Sequence, residues 1–395
     1  MRKMLPGIGV FGTSPSIRSF VAILNSCGFR VVALWGRVKS EADHLAQELR
    51  IPISTDNVDE ILLNKDVDVI VISCPPHMQS PIAVKALGIG KHVLCGTPAG
   101  PTQIESHKMV HAAGYYPKLV ARMIYGLRYL PTINSMRRLI DEGFLGEVKI
   151  CEIRVNFWNY PKEKFDWTCD ETMGGGVLNS IGSNLIDVVT YLTSQKAISV
   201  QGLLKTYTKQ TEKIKGIREI TSDDFCSFQL ELDCGACTTV TINSHMPGQF
   251  YQEIVIVGTK ARLTAKGADL YGQKNDSRKE ELLHFDPINF KEEERYGVSE
   301  KTRSVIPTPY LKGIIRMMES VKEAFDKEEE RQSYCQEMLE NAATFEDSVY
   351  VQTVIDAIRK SNRSKEWVKV EVKTEEPPSP ILPHGAGKNS GSLVQ

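Results

Sequence analysis

Nothing in these 395 residues comes near the roughly 20 consecutive apolar residues that a membrane-spanning helix needs, so no membrane partner is expected. A strong charge of either sign is missing too: 48 Lys and Arg stand against 49 Asp and Glu, a formal net charge of -1. Such a chain has no field with which to gather nucleic acid or anionic lipid, and a small-molecule ligand fits it better. No internal repeat recurs, and there is no cysteine framework. The nine cysteines are an odd number scattered along the chain, which fits a reducing compartment and a cytoplasmic location. Cys234-Gly-Ala-Cys237 could form half of a zinc site, but no second ligand pair accompanies it. Its place between two alternating runs predicts a hairpin turn, and no metal. The start, Met1-Arg-Lys-Met-Leu-Pro, has the basic residues and some of the apolar character of a secretory leader. Cleavage there would delete the first strand of the domain described next, so secretion is not expected.

What is present divides in two. From 7 to about 117, short Val- and Ile-rich runs alternate with helical periodicity. Strands are predicted at 8–11, 30–35, 67–72 and 91–95, and helices at 16–26, 40–49, 58–63 and 80–87. Strands of that kind separated by helices build a doubly wound parallel sheet, so residues 1–122 are assigned to an α/β Rossmann domain. After Gly146 the strands lengthen and alternate, at 148–157, 198–207, 224–232, 236–243 and 251–257, with helices at 176–192 and 310–325. This pattern predicts an α+β domain over 123–372 with a large, mostly antiparallel sheet. A last helix, 341–361, is a candidate to pack back on the first domain, and a closing strand is predicted near 367–372. The charged stretches 209–219 and 276–303 are expected to be exposed loops, and the Pro-, Gly- and Ser-rich 373–395 a disordered tail.

The first strand runs into Gly12-Thr-Ser-Pro-Ser-Ile17 and then a helix, the arrangement in which a pyrophosphate meets a helix N-terminus. A full Gly-x-Gly-x-x-Gly would have glycine at Ser14 and Ile17, so the motif is degraded and an ordinary strand-to-helix turn is the other reading. Ser14 and Ser16 can still donate hydroxyl hydrogen bonds to phosphate. The second strand ends in Leu34-Trp-Gly-Arg37, where an NAD-specific domain places an acid on the ribose hydroxyl. An arginine there suits a 2′-phosphate, which guanidinium grips through paired charge-assisted hydrogen bonds, with Lys39 and Ser40 in support. The expected cofactor is therefore NADP(H), with NAD(H) second and Arg37 as a solvated surface charge the alternative.

Together these residues resemble the Gfo/Idh/MocA family of nicotinamide-dependent oxidoreductases, above all an animal branch of it. The likeness runs over about 5–372 and rests on Leu5-Pro-Gly-Ile-Gly-Val-Phe-Gly-Thr-Ser14 and three further segments. One is Ser73-Cys-Pro-Pro-His-Met-Gln79 through Gly96-Thr-Pro98; another is Arg128-Tyr-Leu-Pro131 with Leu139-Ile-Asp-Glu-Gly-Phe-Leu-Gly-Glu-Val148. The last is Trp167 followed by Gly174-Gly-Gly-Val-Leu-Asn-Ser-Ile-Gly-Ser-Asn-Leu-Ile-Asp187. The resemblance implies cofactor contacts at Gly12, Thr13, Ser14, Ser16, Ile17, Gly36, Arg37, Lys39, Ser40, Cys74, Pro75, Pro76, Gln79, Gly96, Thr97, Arg128 and Trp167, and a homodimer formed through the C-terminal sheet.

It also marks where this chain departs. The family's Glu-Lys-Pro falls on Gly96-Thr97-Pro98, so its acid and its lysine are absent. The aspartate and histidine that bind and deprotonate the substrate hydroxyl fall on Ser180 and Asn184; Asp187 alone is kept, and Pro76 and Gln79 replace an asparagine and a histidine. Losing a general base costs roughly 10²- to 10⁴-fold, and losing the lysine removes stabilisation of a developing alkoxide. The expectation is a pseudoenzyme that holds NADP(H) as a scaffold or sensor. The alternative is an active NADP-dependent oxidoreductase on a sugar- or polyol-like substrate; Tyr125, Tyr160, Lys162 and His245 are candidates by type for a relocated base, each read first as a core aromatic or surface residue. The run Gly174 to Gly176 lets backbone approach a ligand closely.

Overall fold

In the computed structural model, residues 4–158, 165–211, 218–286, 295–297 and 306–372 are described; the predicted tail, Tyr160 and Lys162 lie outside them. The first sheet joins β1 (Gly7–Phe11), β2 (Arg30–Trp35), β3 (Ile53–Thr55), β4 (Val69–Ile72), β5 (His92–Cys95) and β6 (Ala121–Met123), all parallel, in the order β3-β2-β1-β4-β5-β6. The sequence reading misses β3 and β6, whose three residues each are too few to display a period. The order reverses between β1 and β4, which opens a crevice at the carboxyl ends of those strands. Helices α1 (Ile17–Ser26), α2 (Lys39–Leu49), α3 (Val58–Leu62), α4 (Pro76–Gly88) and α5 (Gln103–Tyr115) connect or flank the strands. α4 begins one turn earlier than its periodicity predicts, because Pro76 sits in its first turn, where proline needs no N–H partner.

The second sheet has nine strands: β7 (Val148–Asn156), β8 (Ala197–Lys205), β9 (Phe225–Leu232), β10 (Cys237–Asn243), β11 (Tyr251–Gly258), β12 (Ala261–Lys266), β13 (Asp269–Lys274), β14 (Glu281–His284) and β15 (Val368–Lys369). Every neighbouring pair is antiparallel except β7 with β10. β14 lies inside the stretch expected to be loop: its Leu282 and Leu283 stay exposed, so it lacks the buried face by which a strand is read. The Cys234 to Cys237 turn is a hairpin between β9 and β10, with Gly235 at φ +81° and the Gly235 N–H donating to the Leu232 carbonyl.

Two helices from the second half of the chain reach the first sheet. α6 (Pro131–Asp141) and α7 (Ser183–Thr193) precede them in the chain; α8 (Thr308–Asp326) buries Leu311, Met317, Met318 and Phe325 against Ile8, Val10, Leu34 and Phe20, and so covers one face of the Rossmann sheet. It also meets the turn Gly126–Tyr129, after β6, backbone to backbone: a Cβ on Gly313 would lie 2.0 Å from the Gly126 carbonyl oxygen. α9 (Phe345–Ser364) packs between α5 and β8, with Ala343 just ahead of it accepting a hydrogen bond from the Met123 N–H at 2.8 Å. One hydrophobic core therefore runs from Ile70 and Val93 through Val354 and Ile358 to Ile153, Val240 and Ile254. The two sheets are held together by shared packing.

Candidate functional site

On the first wall, β1 ends at Gly12, where φ is +139° and a Cβ would strike the Ser73 carbonyl oxygen at 2.3 Å. Only glycine fits that turn. Gly36 at the end of β2 is equally confined, since a Cβ would lie 2.4 Å from Thr13 Cγ2, and Arg37 is thereby brought beside the loop. The Ser14 and Ser16 hydroxyls lie 2.7 Å apart, and the N–H groups of Thr13, Ser14 and Ser16 make no hydrogen bond to another described residue. Ile17 is buried as the first residue of α1. The degraded glycine motif thus keeps N–H groups that have no partner among the described residues just before a helix N-terminus, which fits a pyrophosphate. Arg37 and Ser40 are exposed, and Arg37 has no hydrogen-bond or ion-pair partner among the described residues. Lys39 is already engaged, by Asp43 and by the Ser54 carbonyl at 3.0 Å.

The loops after β4 and β5 meet at Gln79. Its Nε2 donates to the Cys74 carbonyl at 2.9 Å, and the Cys95 thiol donates to its Oε1 at 2.9 Å. Burial pushes the Cys74 thiol up to about 12 and holds the Cys95 thiol well above its usual range, so neither supplies a thiolate. Pro75 is half-buried and Pro76 packs on the second wall: a Cβ on Gly174 would lie 2.7 Å from Pro76 Cγ. Behind that glycine run, the half-buried Trp167 opens a short turn whose Thr168 carbonyl would clash with any Cβ on Gly175.

The second wall then turns into α7 through a π-helical turn, Leu178–Gly182, a distortion that recurs at functional sites. Asp223, which the sequence reading misses, fixes this turn by accepting the Leu178 N–H at 2.7 Å, and its Oδ1 would lie 2.1 Å from a Cβ on Gly176. Burial pushes its carboxyl up to about 6, against the Leu178 hydrogen bond and the charge of Arg359. The two substituted positions meet here. Asn184 Nδ2 donates to the Ser180 carbonyl at 3.1 Å and reaches Thr97 Oγ1, beside Gly96, at 3.4 Å; the exposed Ser180 hydroxyl turns back to the Gly176 carbonyl at 3.0 Å.

Below them the predicted cofactor contact Arg128 and the retained acid Asp187 pair with each other. Arg128 donates to both Asp187 oxygens at 2.9 and 2.6 Å and lies 3.1 Å from Asp347; Arg128 and Asp187 are 7% and 1% exposed, which seals them from the cleft. Burial alone would lower the guanidinium's pKa, but the two carboxylates raise it, so it stays charged. Asp347 escapes the sequence reading, although Thr344-x-x-Asp347 is a capping-box pattern that could have found it. Tyr125, a candidate relocated base, is 1% exposed beside this cluster, and burial raises its phenol well above the usual range, so it cannot serve. His245 lies 3.1 Å from Asp224, next to Asp223 in the chain, and faces the Tyr207 ring.

A six-stranded parallel sheet with a glycine turn at its switch point, packed against a large second sheet, is a Rossmann dinucleotide-binding fold with an added α+β domain. Residues 6–121 match the oxidoreductase family with NAD-binding Rossmann fold, and residues 133–264 match the GFO/IDH/MocA C-terminal domain. The chain belongs to this Gfo/Idh/MocA family. It is 47% identical over 376 residues to glucose-fructose oxidoreductase domain-containing protein 1 of Xenopus tropicalis, covering 95% of each chain. It is 45% identical over 375 residues to the human domain-containing protein 2, covering 95% of this chain and 96% of that one. Among solved structures, levoglucosan dehydrogenase in complex with NADH and L-sorbose superposes with a TM-score of 0.76 at 19% identity, over 93% of this chain and 100% of that one. The super-repressor mutant of Gal80p from Saccharomyces cerevisiae gives 0.71 at 17%, over 93% and 98%. Among the described residues no helix is long and apolar enough to cross a membrane.

Proposed function

We propose that this protein binds a nicotinamide dinucleotide, NADP(H) ahead of NAD(H), and holds it as a scaffold or sensor without the family's usual means of hydride chemistry. Thr13, Ser14 and Ser16 would hold the pyrophosphate and Arg37 a 2′-phosphate, while the loops at Cys74 to Gln79 and at Gly96 would flank the rest. When bound, the cofactor supplies the capacity to give or accept a hydride. The observation that carries the reading is the contact between Thr97 and Asn184: two neutral side chains touch where the family has a lysine and a histidine, and neither can take a hydroxyl proton at neutral pH. That levoglucosan dehydrogenase is described with bound NADH supports the dinucleotide half of the proposal. Titration calorimetry of the full chain tests it. NADP+ should bind saturably at one site and Arg37→Ala should weaken it about tenfold, as the loss of a charge-assisted phosphate contact would; equal binding by the variant would remove the preference.

A second reading, an NADP-dependent oxidoreductase on a sugar- or polyol-like substrate, is favoured by one group. His245 pairs with Asp224, whose carboxylate is held low by the Tyr207 and Thr208 N–H groups and by His245 itself, despite partial burial, and it keeps about a third of its side chain exposed. Turnover that His245→Ala abolishes would favour this reading. We also propose a homodimer through the outer face of the nine-stranded sheet, where Ile150, Ile198, Leu203 and Tyr251 remain exposed, and a reducing, cytoplasmic setting for the nine free cysteines. Sedimentation of the purified chain at twice the monomer mass would support the dimer.

A further inference from the structure

The corner where β2 and β3 end carries two cations in unlike states. Arg37 is exposed and has no partner among the described residues. Lys39, the first residue of α2, is held on both sides: Asp43, one turn along α2, takes its ammonium, and the Ser54 carbonyl at the end of β3 accepts a second hydrogen bond at 3.0 Å. Asp43 is fixed in turn, because the Ser54 hydroxyl donates to its Oδ1 at 2.5 Å. The Lys39 hydrogen bond, with the Ser54 one behind it, keeps the Asp43 carboxyl below the usual carboxylate range. Gly36, pressed against Thr13, sets this corner beside the phosphate loop.

We propose that Asp43 is a positioning residue that sets how strongly this site prefers a phosphorylated dinucleotide, by holding Lys39 away from the ligand. The inference rests on the dinucleotide reading above and adds a residue to it. A 2′-phosphate is a dianion that can compete with the Asp43 carboxylate for the Lys39 ammonium; a 2′-hydroxyl is neutral and cannot. Asp43 therefore taxes NADP+ and leaves NAD+ alone, while Arg37 supplies the preference that remains. Because Lys39 and Asp43 are both about half exposed, their pairing is the weak kind that a ligand can outcompete.

The test is titration calorimetry of the full chain with NADP+ and with NAD+ at low salt, for wild type, Asp43→Ala, Lys39→Ala and the double variant. Asp43→Ala should tighten NADP+ about fivefold, the upper range for an exposed ion pair, and change NAD+ less than about twofold. In the Lys39→Ala background the same substitution should change NADP+ less than about twofold. An equal gain in both backgrounds would mean that Asp43 acts only as a nearby negative charge, and would overturn the proposal; so would an unchanged affinity in Asp43→Ala. If wild type binds neither dinucleotide, the reading beneath it falls as well, an outcome distinct from tight binding that ignores Asp43. Circular dichroism confirms that each variant is folded.

Discussion

The two walls of the cleft differ in what their polar groups are free to do. On the Rossmann wall, the N–H groups of Thr13, Ser14 and Ser16 and the guanidinium of Arg37 have no partner among the described residues. On the opposite wall, polar side chains have been spent inward: Ser180 on the Gly176 carbonyl, Asn184 on Ser180 and Thr97, Asp187 on Arg128, and Asp223 on Leu178. Unpaired donors beside a helix N-terminus are available to a ligand, although Lys39 and Gln79 on the same wall are already engaged. Side chains already paired within the protein contribute shape and stability, and on that contrast rests the proposal of binding without the family's usual chemistry.

If the contrast is right, substitutions on the inward wall change stability, and those on the Rossmann wall change binding. The largest effect is expected for Arg128→Ala, which leaves Asp187 buried with no countercharge and should cost about 3 to 5 kcal/mol, read as a drop in denaturation midpoint. Little loss would show that water reaches the pair and that the inward wall is softer than it looks. Next is Gly313→Ala. The added Cβ would meet the Gly126 carbonyl oxygen at 2.0 Å, and forcing α8 off the Gly126–Tyr129 turn should cost roughly 2 to 3 kcal/mol, although alanine is the better helix former.

Asp223 gives a pH-dependent test of the same wall. Its folded pKa of about 6 lies above the unfolded value, so its contribution to stability is full below about pH 4 and is lost as pH rises through 6. Asp223→Asn should therefore remove about 1 to 2 kcal/mol of the stability that wild type loses between pH 5 and pH 7.5, measured by urea denaturation at both values. An unaltered pH profile would place the titration elsewhere. The smallest stability effect belongs to the other wall: Arg37→Ala should stay within roughly 0.5 kcal/mol of wild type while weakening NADP+ about tenfold. A variant that lost stability and kept affinity would reverse the contrast.

Much of the Rossmann wall was legible because its signals are local. Val- and Ile-rich runs, Gly12 before a helix and Arg37 after Gly36 all lie within a few residues of the atoms they organise. The meeting of Thr97 with Asn184 was legible only through resemblance, since 87 residues separate them. The rest depends on distant partners. Asp347 reaches Arg128 from α9, α8 crosses to a sheet whose last strand already ends at Met123, and Ser54 fixes Asp43 from a three-residue strand. Lys39 read as a support for Arg37 because its residue type was visible and its engagement with Ser54 was not. β12, with its mixed run Ala261-Arg-Leu-Thr-Ala-Lys266, buries three consecutive residues and so breaks the alternation by which an exposed-face strand is read.

The central claim is that this cleft holds its cofactor without using it. The most direct measurement is the absorbance of protein-bound NADPH during incubation with a panel of sugar-derived carbonyl compounds, followed over many hours at a protein concentration well above the dissociation constant. The account predicts that bound NADPH persists at the rate of a buffer control. Loss of its absorbance with any one of those compounds, matched by formation of the corresponding alcohol, would contradict it.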